Sequence, residues 1–393
     1  MTDYRKLDQK SVIEYVVQKD FFKETTLLSC HKLSDNKLNH IFQVSDQEQK
    51  TVIIKQAKSD AYSGQDRNRI EVLRVLERYR CCPKYTINIL LHDISQSCFV
   101  MQDVSEYQSI LTTLSKGENF PHIAPQLAYY LAYSLFYSSD FYLSSVEKNT
   151  KICQLLNSDY SLTTDYSTFT EPYNDLKPKN LSQSSLDLLF ELRQDETFKA
   201  ELAELKAKLL NSTQAFLHGN LTSEQVLDDN TNIKIINTKY AFYGPIGFDI
   251  GTILGSFLLN FCTSSLSLKS HKRANHLDFL IQSIRDIWHQ FANIFSDLME
   301  NKTKNLALQN TMYQARFLRS IFLDSLGYAG CELIRQATMA VPIIDFDLIS
   351  DEKDQEKARS HCIELGQVLV NKRYQFVSIN DVLLEAEAII EKE

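Results

Sequence analysis

The period of the apolar pattern changes once along this chain, near Ser105, and that change restricts the fold more than any other feature. Ahead of it, Thr25–Cys30, His40–Val44 and Thr51–Lys55 read as short strands separated by polar turns bearing Asp and Asn. Ser11-Val-Ile-Glu14 reads as a capping box that opens a first short helix. Ile70, Leu73 and Leu76 predict a helix over Asp66–Arg80, and a further strand is expected over Ser97–Met101. Behind Ser105 the pattern is mainly helical. Leu277, Leu280, Ile284, Ile287, Trp288, Phe291, Phe295 and Leu298 recur at three- and four-residue steps, which predicts one long amphipathic helix. Its apolar stripe reads as a core face rather than a partner surface. Asn157–Ser185 is rich in Ser, Thr, Asn and Asp, carries prolines, and is expected to be a long connecting loop. The expectation is an α+β chain with a small β-rich lobe over residues 1–105 and a large helical lobe over 106–393.

Composition narrows the function classes. The 393 residues are 44% apolar, enough for sizeable cores, and the formal net charge is −8 with no basic block. Nucleic acid and an anionic membrane surface are therefore not expected partners. The first residues, MTDYRKLDQK, lack the apolar region of a signal peptide. The most apolar stretch, Ile250–Cys262, is interrupted by Gly, Thr, Ser and Asn and is expected to be too short to span a bilayer. The eight cysteines are scattered apart from Cys81-Cys82, and none forms a CxxC, so a reduced, cytoplasmic chain is expected and a zinc site is not.

The segment Phe216–Gly251 carries the chemistry: FLHGNLTSEQVLDDNTNIKIINTKYAFYGPIGFDIG. Its end, Tyr240-Ala-Phe-Tyr243-Gly244-Pro245-Ile-Gly247-Phe248-Asp249-Ile-Gly251, strongly resembles the 5-methylthioribose kinase family, which has the protein-kinase-like fold of the aminoglycoside and choline kinases. A second specific run, Gly327-Tyr-Ala-Gly330-Cys331-Glu332-Leu-Ile-Arg335-Gln336, resembles that family's C-terminal motif. Glu118-Asn-Phe-Pro121-His122 and Leu135-Phe-Tyr-Ser138-Ser139-Asp140 are also similar, and the resemblance extends from about Leu38 to about Lys372.

The resemblance implies a two-lobed kinase in which Lys55, in Ile53-Ile54-Lys55-Gln56-Ala57, contacts nucleotide phosphates and Glu71 pairs with it. It implies that Asp249 supports the catalytic loop and opens a helix. It implies that Arg335, with Glu332 and position 336, lines the acceptor pocket. ATP is the implied cofactor, a methylthioribose-like sugar in methionine salvage the implied ligand, and a homodimer the implied assembly.

The residues that would do the chemistry depart from the pattern. The first motif reads His218-Gly219-Asn220, where the family has Asp at the third place. An amide accepts no proton at neutral pH, and the general base it replaces is worth roughly 10² to 10⁴ in rate. Gln225 stands at a metal-side position. The second motif reads Asn237-Thr238-Lys239, where the family has Asp-x-Glu, so Lys239 brings positive charge to the place expected for magnesium. Mg²⁺ prefers hard, anionic oxygen ligands, which makes that metal doubtful here. Gln336 replaces the second of a pair of arginines, and no tryptophan lies between Lys58 and Asp66, where the family has one; Trp288 is the only one in the chain. The phosphate-covering loop reads Ser34-Asp35-Asn36-Lys37-Leu38-Asn39-His40 without the family's glycines. It is open there whether Lys37 offsets their loss or the run is a plain polar hairpin.

Three readings follow. The substitutions favour a pseudokinase that binds a nucleotide or sugar-like ligand, or pairs with an active relative, without efficient transfer. The alternative is a working sugar kinase in which Asp103, Glu224, Asp228 or Asp229 restores metal binding. A structural partner with an empty pocket is the third.

Overall fold

A computed structural model describes residues 4–35, 38–58, 62–156, 164–165, 167–173, 181–339 and 343–392, apart from the side chains at 62, 63, 65 and 184. The chain divides into two compact units. The first takes the residues up to Tyr107 together with Gln154–Leu156 and Lys234–Lys239, and the second takes the remainder.

The first unit is built on a five-stranded antiparallel sheet, order β1-β2-β3-β5-β4. Its strands are β1 (Ser29–Asp35), β2 (Asn39–Ser45), β3 (Thr51–Ala57), β4 (Ile89–Asp93) and β5 (Cys98–Gln102). Alternation along β2 turns His40, Phe42 and Val44 inward. Helix α1 (Gln9–Gln18) lays Val12, Tyr15 and Val16 against Phe42, Val44, Val52, Ile54 and Val100. Its capping box lies three residues earlier than the sequence predicts. Asp8 is the N-cap, accepting from the amides of Lys10 and Ser11, while Ser11 Oγ accepts from the Asp8 amide. The buried Val12 requires the helix to be under way by that point. Helix α2 (Tyr62–Cys81) follows, longer at both ends than the Asp66–Arg80 expected. Strand β4 was not anticipated, and the first strand starts at Ser29 rather than Thr25.

The second unit is mainly helical: α3 (Ile110–Ser115), α4 (Ile123–Phe136), α5 (Ser145–Leu155, whose last residues join the first unit), α6 (Gln183–Gln194), α7 (Glu196–Asn211), α8 (Gly247–Ser267), α9 (Ser270–Lys302), α10 (Thr311–Thr338), α11 (Ile344–Asp347), α12 (Glu352–Asn371) and α13 (Ile379–Ile390). Short strands β6 (Gln108–Ser109), β7 (Ala215–Leu217), β8 (Val226–Asp228), β9 (Ile233–Ile235) and β10 (Phe242–Gly244) complete the element order. The expected long amphipathic helix is α9, and its stripe is core: Leu280, Ile284, Ile287, Phe291, Phe295 and Leu298 are buried. About half of the predicted loop over Asn157–Ser185 lies outside the described residues, and within the rest residues 164–165 and 167–169 are helical. Where it is described, Glu171–Tyr173 forms a 3-10 turn and α6 has begun by Gln183.

Helix α8 contains the apolar stretch expected to be too short for a membrane. The whole helix is long and apolar enough by those criteria alone, yet 89% of its most apolar window is buried inside the protein, as in a core helix. Its glycines explain how it packs. A Cβ at Gly251 would lie 2.6 Å from Ser325 O and 2.7 Å from Tyr328 Cβ, so α8 and α10 approach backbone to side chain. Helices α10 and α12 cross in the same way: a Cβ at Gly330 would meet Gly366 O at 2.5 Å.

Candidate active site

In the second unit, β7 pairs antiparallel with β10, in the register Leu217↔Phe242 and Phe216↔Tyr243. The His-Gly-Asn turn leaves the end of β7. Gly219 has φ +81°, and a Cβ there would collide with Tyr240 O. Asp249, in the first turn of α8 and buried, fixes the turn: one carboxylate oxygen accepts from the His218 amide at 2.6 Å and the other from the Gly219 amide at 2.9 Å. Past Asn220, the Ser223 amide donates to Ser256 Oγ at 3.0 Å, tying the loop to α8 a second time. The family-like segments upstream brace the same region. Ser138 Oγ accepts from the Phe216 amide at 3.0 Å, and His122 Nε2 lies 2.7 Å from Asp228 Oδ1.

Asn220 lines a cavity of about 660 Å³ within this unit. Glu224, Phe248, Glu332, Arg335, Gln336 and Asp345 are among its walls. Arg335 forms a two-point fork on Glu332, Nε to Oε2 at 2.8 Å and Nη2 to Oε1 at 2.7 Å, and Gln336 Nε2 donates to the same Oε1 at 2.7 Å. Burial alone pulls the Arg335 guanidinium down, but the Glu332 carboxylate, with Glu171 and Glu224 behind it, outweighs that and holds it above its ordinary value. Asp345 takes Asn260 Nδ2 and Ser115 Oγ on one oxygen, each at 2.8 Å, and burial pushes its carboxyl above the usual range. Asp345 escaped the sequence reading. The available signal was an acid set between apolar Ile343-Ile344 and Phe346.

In the first unit, Lys55 Nζ on β3 meets Glu71 Oε1 on α2 at 2.5 Å, and both are mostly buried. Lys37 lies outside the described residues. Nearby on the hairpin, Asp35 is held by Lys58 at 2.6 Å, Lys32 at 2.5 Å and His40 at 2.9 Å, and the lysine hydrogen bonds, Lys32 first, keep its carboxyl well below the usual range. No sequence pattern marks that arrangement, because Lys32, Asp35, His40 and Lys58 converge only on folding. Asn237 sits in the left-handed region at φ +66°, where asparagine is tolerated, and its side chain and that of Lys239 are half-buried. The carbonyl of Lys239 accepts from Arg74 of α2, which also reaches Leu155 O at 3.0 Å.

Three of the four acids named as alternative metal ligands have other partners. Asp103 accepts from the Ser105 amide at 2.8 Å and from Gln43 Nε2 at 2.7 Å. Asp228 faces His122, and Asp229 closes a turn on the amides of Thr231 and Asn232. Glu224 lines the cavity.

The fold is that of the protein-kinase-like phosphotransferases: the choline kinase of Cryptosporidium parvum superposes with a TM-score of 0.50 over 96% of this chain and 100% of its own, at 14% identity. No protein-family profile matches the chain. The methylthioribose kinase of Yersinia enterocolitica is 32% identical over 392 residues, 98% of each chain, and that of Pectobacterium atrosepticum is 32% identical over 379 residues, 94% of this chain and 95% of its own. The chain belongs to the methylthioribose kinase family.

Proposed function

We propose that this family member is a pseudokinase: it keeps the fold and a ligand cavity but transfers phosphate poorly or not at all. The carrying observation is the set of residues at positions 220, 237 and 239, an amide, an amide and an ammonium where the family pattern has three carboxylates. Such donors do not fit magnesium, a hard dication that keeps near-octahedral geometry and favours anionic oxygen. Phosphoryl transfer depends on positioning and charge neutralisation, so losing both the metal side and the hydroxyl-orienting base removes most of what a kinase supplies. The engagement of Asp103, Asp228 and Asp229 in local hydrogen bonds supports the same reading.

A second reading has its own support. The relatives that match over nearly the full length are named methylthioribose kinases, which favours an active kinase that phosphorylates methylthioribose with ATP in methionine salvage. A coupled ADP-release assay with methylthioribose and Mg-ATP separates the two. Background rates are expected, and turnover in the range of about 1 to 100 s⁻¹ would establish the active kinase. Work in the cytoplasm, as a homodimer or beside an active relative, belongs to the same proposal. The eight cysteines, none of them in a disulfide, support a reducing location.

A further inference from the structure

The charge balance of the cavity in the second unit differs from that of its family pattern. Arg335 is the single cation among its described lining residues, against Glu224, Glu332 and Asp345. Asp345 is buried, and its Oδ1 is already taken by Asn260 Nδ2 and Ser115 Oγ. Arg335 gives its Nε and Nη2 to the fork with Glu332. Gln336 adds no charge and gives its amide to Glu332 as well. What remains is the Glu224 carboxylate, which is exposed, lines the cavity, accepts from Gln225 Nε2 at 3.1 Å, and forms no ion pair among the described residues.

We infer that this cavity takes a polyhydroxylated ligand bearing an ammonium group and turns away the corresponding phosphate monoester. Ser109, Thr112, Thr168 and Ser223 line the same walls and make them polar enough for a ligand rich in hydroxyls, while Phe248 and Leu259 supply apolar surface for its carbon skeleton. An ammonium finds in Glu224 a carboxylate bonded to the neutral Gln225 amide and to no cation among the described residues. A phosphate meets that same negative charge and an arginine already engaged by Glu332 through Nε and Nη2, with no second guanidinium at position 336. The inference rests on the reading that the cavity binds a ligand, and it names the chemical class.

The test is calorimetric titration of the full-length chain, without nucleotide, using three matched probes: methyl β-D-ribofuranoside, its 5-amino-5-deoxy analogue and its 5-phosphate. The amine is expected to bind about tenfold or more tighter than the neutral riboside, the scale of one charge-assisted hydrogen bond, and the phosphate to give no heat. Glu224→Gln should bring the amine level with the neutral riboside, and Gln336→Arg should gain binding of the phosphate. Equal affinity for amine and neutral probe, phosphate binding by the unaltered chain, or no binding by any probe overturns the inference. None of these results bears on ADP release, so the pseudokinase reading stands or falls separately.

Discussion

Asp249 holds the amide of Gly219 at 2.9 Å while Gly219 occupies a backbone conformation, φ +81°, that side chains rarely adopt. The turn before Asn220 is thus specified by a carboxylate and a glycine that take no part in proton or metal chemistry. The turn's geometry therefore does not depend on whether an amide or a carboxylate stands at position 220. Asp249→Ala leaves two buried amides unpaired and should destabilise the protein by about 2 to 5 kcal/mol in denaturant unfolding. Asp249→Asn, which keeps one acceptor, should cost less. A loss under about 0.5 kcal/mol for the alanine variant would mean the turn holds itself.

The fold was legible where a periodic pattern met a specific motif. The stripe from Leu280 to Leu298 fixed the core face of α9, and the resemblance of the GFDIG run set Asp249 at a helix start, which the structure has at Gly247. Close backbone approach was not legible, because Gly251 and Gly330 look alike in sequence whether they open a turn or admit a neighbouring helix. Strand β4 was hidden since Ile89-Leu-Leu-His-Asp93 has mostly half-buried or exposed positions and little alternation. In the site, identities at 220, 237 and 239 could be read directly, but partners could not. That Arg335 is tied to Glu332, or that Asp35 gathers Lys32 and Lys58, depends on rotamers and on residues brought together only by folding.

Reverting Asn220→Asp alone should restore little transfer, because groups that act as one unit are strongly non-additive. The triple reversion Asn220→Asp, Asn237→Asp and Lys239→Glu is the variant expected to show measurable ADP release with methylthioribose. Substantial recovery from the single change would show that metal binding had survived in the unaltered chain.

Stability should fall in mild acid through His276. Its ring is buried, with Nδ1 at 2.6 Å from Asn119 Oδ1 and Nε2 at 2.9 Å from Asn260 Oδ1. Burial, aided by the charge of Lys272, pushes it down from 6.5 to about 4. The folded pKa lies below the unfolded one, so the unfolded chain takes up the proton first as pH drops. The stabilisation is complete above about pH 6.5 and is lost on the way down to about pH 4, on the order of 3 kcal/mol in total. Denaturant unfolding at pH 7 and pH 4.5 should show His276→Gln losing less stability across that interval than the unaltered chain. Equal losses would assign the acid sensitivity to other groups.

If nucleotide binds, magnesium should not help it. Lys55 is mostly buried and already paired with Glu71, and Lys239 stands at a position where the family pattern has a metal-side carboxylate. An ammonium makes charge-assisted contacts to phosphate oxygens, stronger than neutral hydrogen bonds. It cannot bridge two phosphates octahedrally as Mg²⁺ does. Affinity for ATP should therefore be modest, should weaken with added salt because the contacts are partly exposed, and should be the same in EDTA and in Mg²⁺. Calorimetric titration of ATP into the full-length chain under both conditions checks this. Lys239→Glu should weaken the EDTA binding, since it replaces an attraction with a repulsion. Tight binding that appears only with the metal, and is indifferent to Lys239→Glu, would return this chain to ordinary Mg-ATP chemistry.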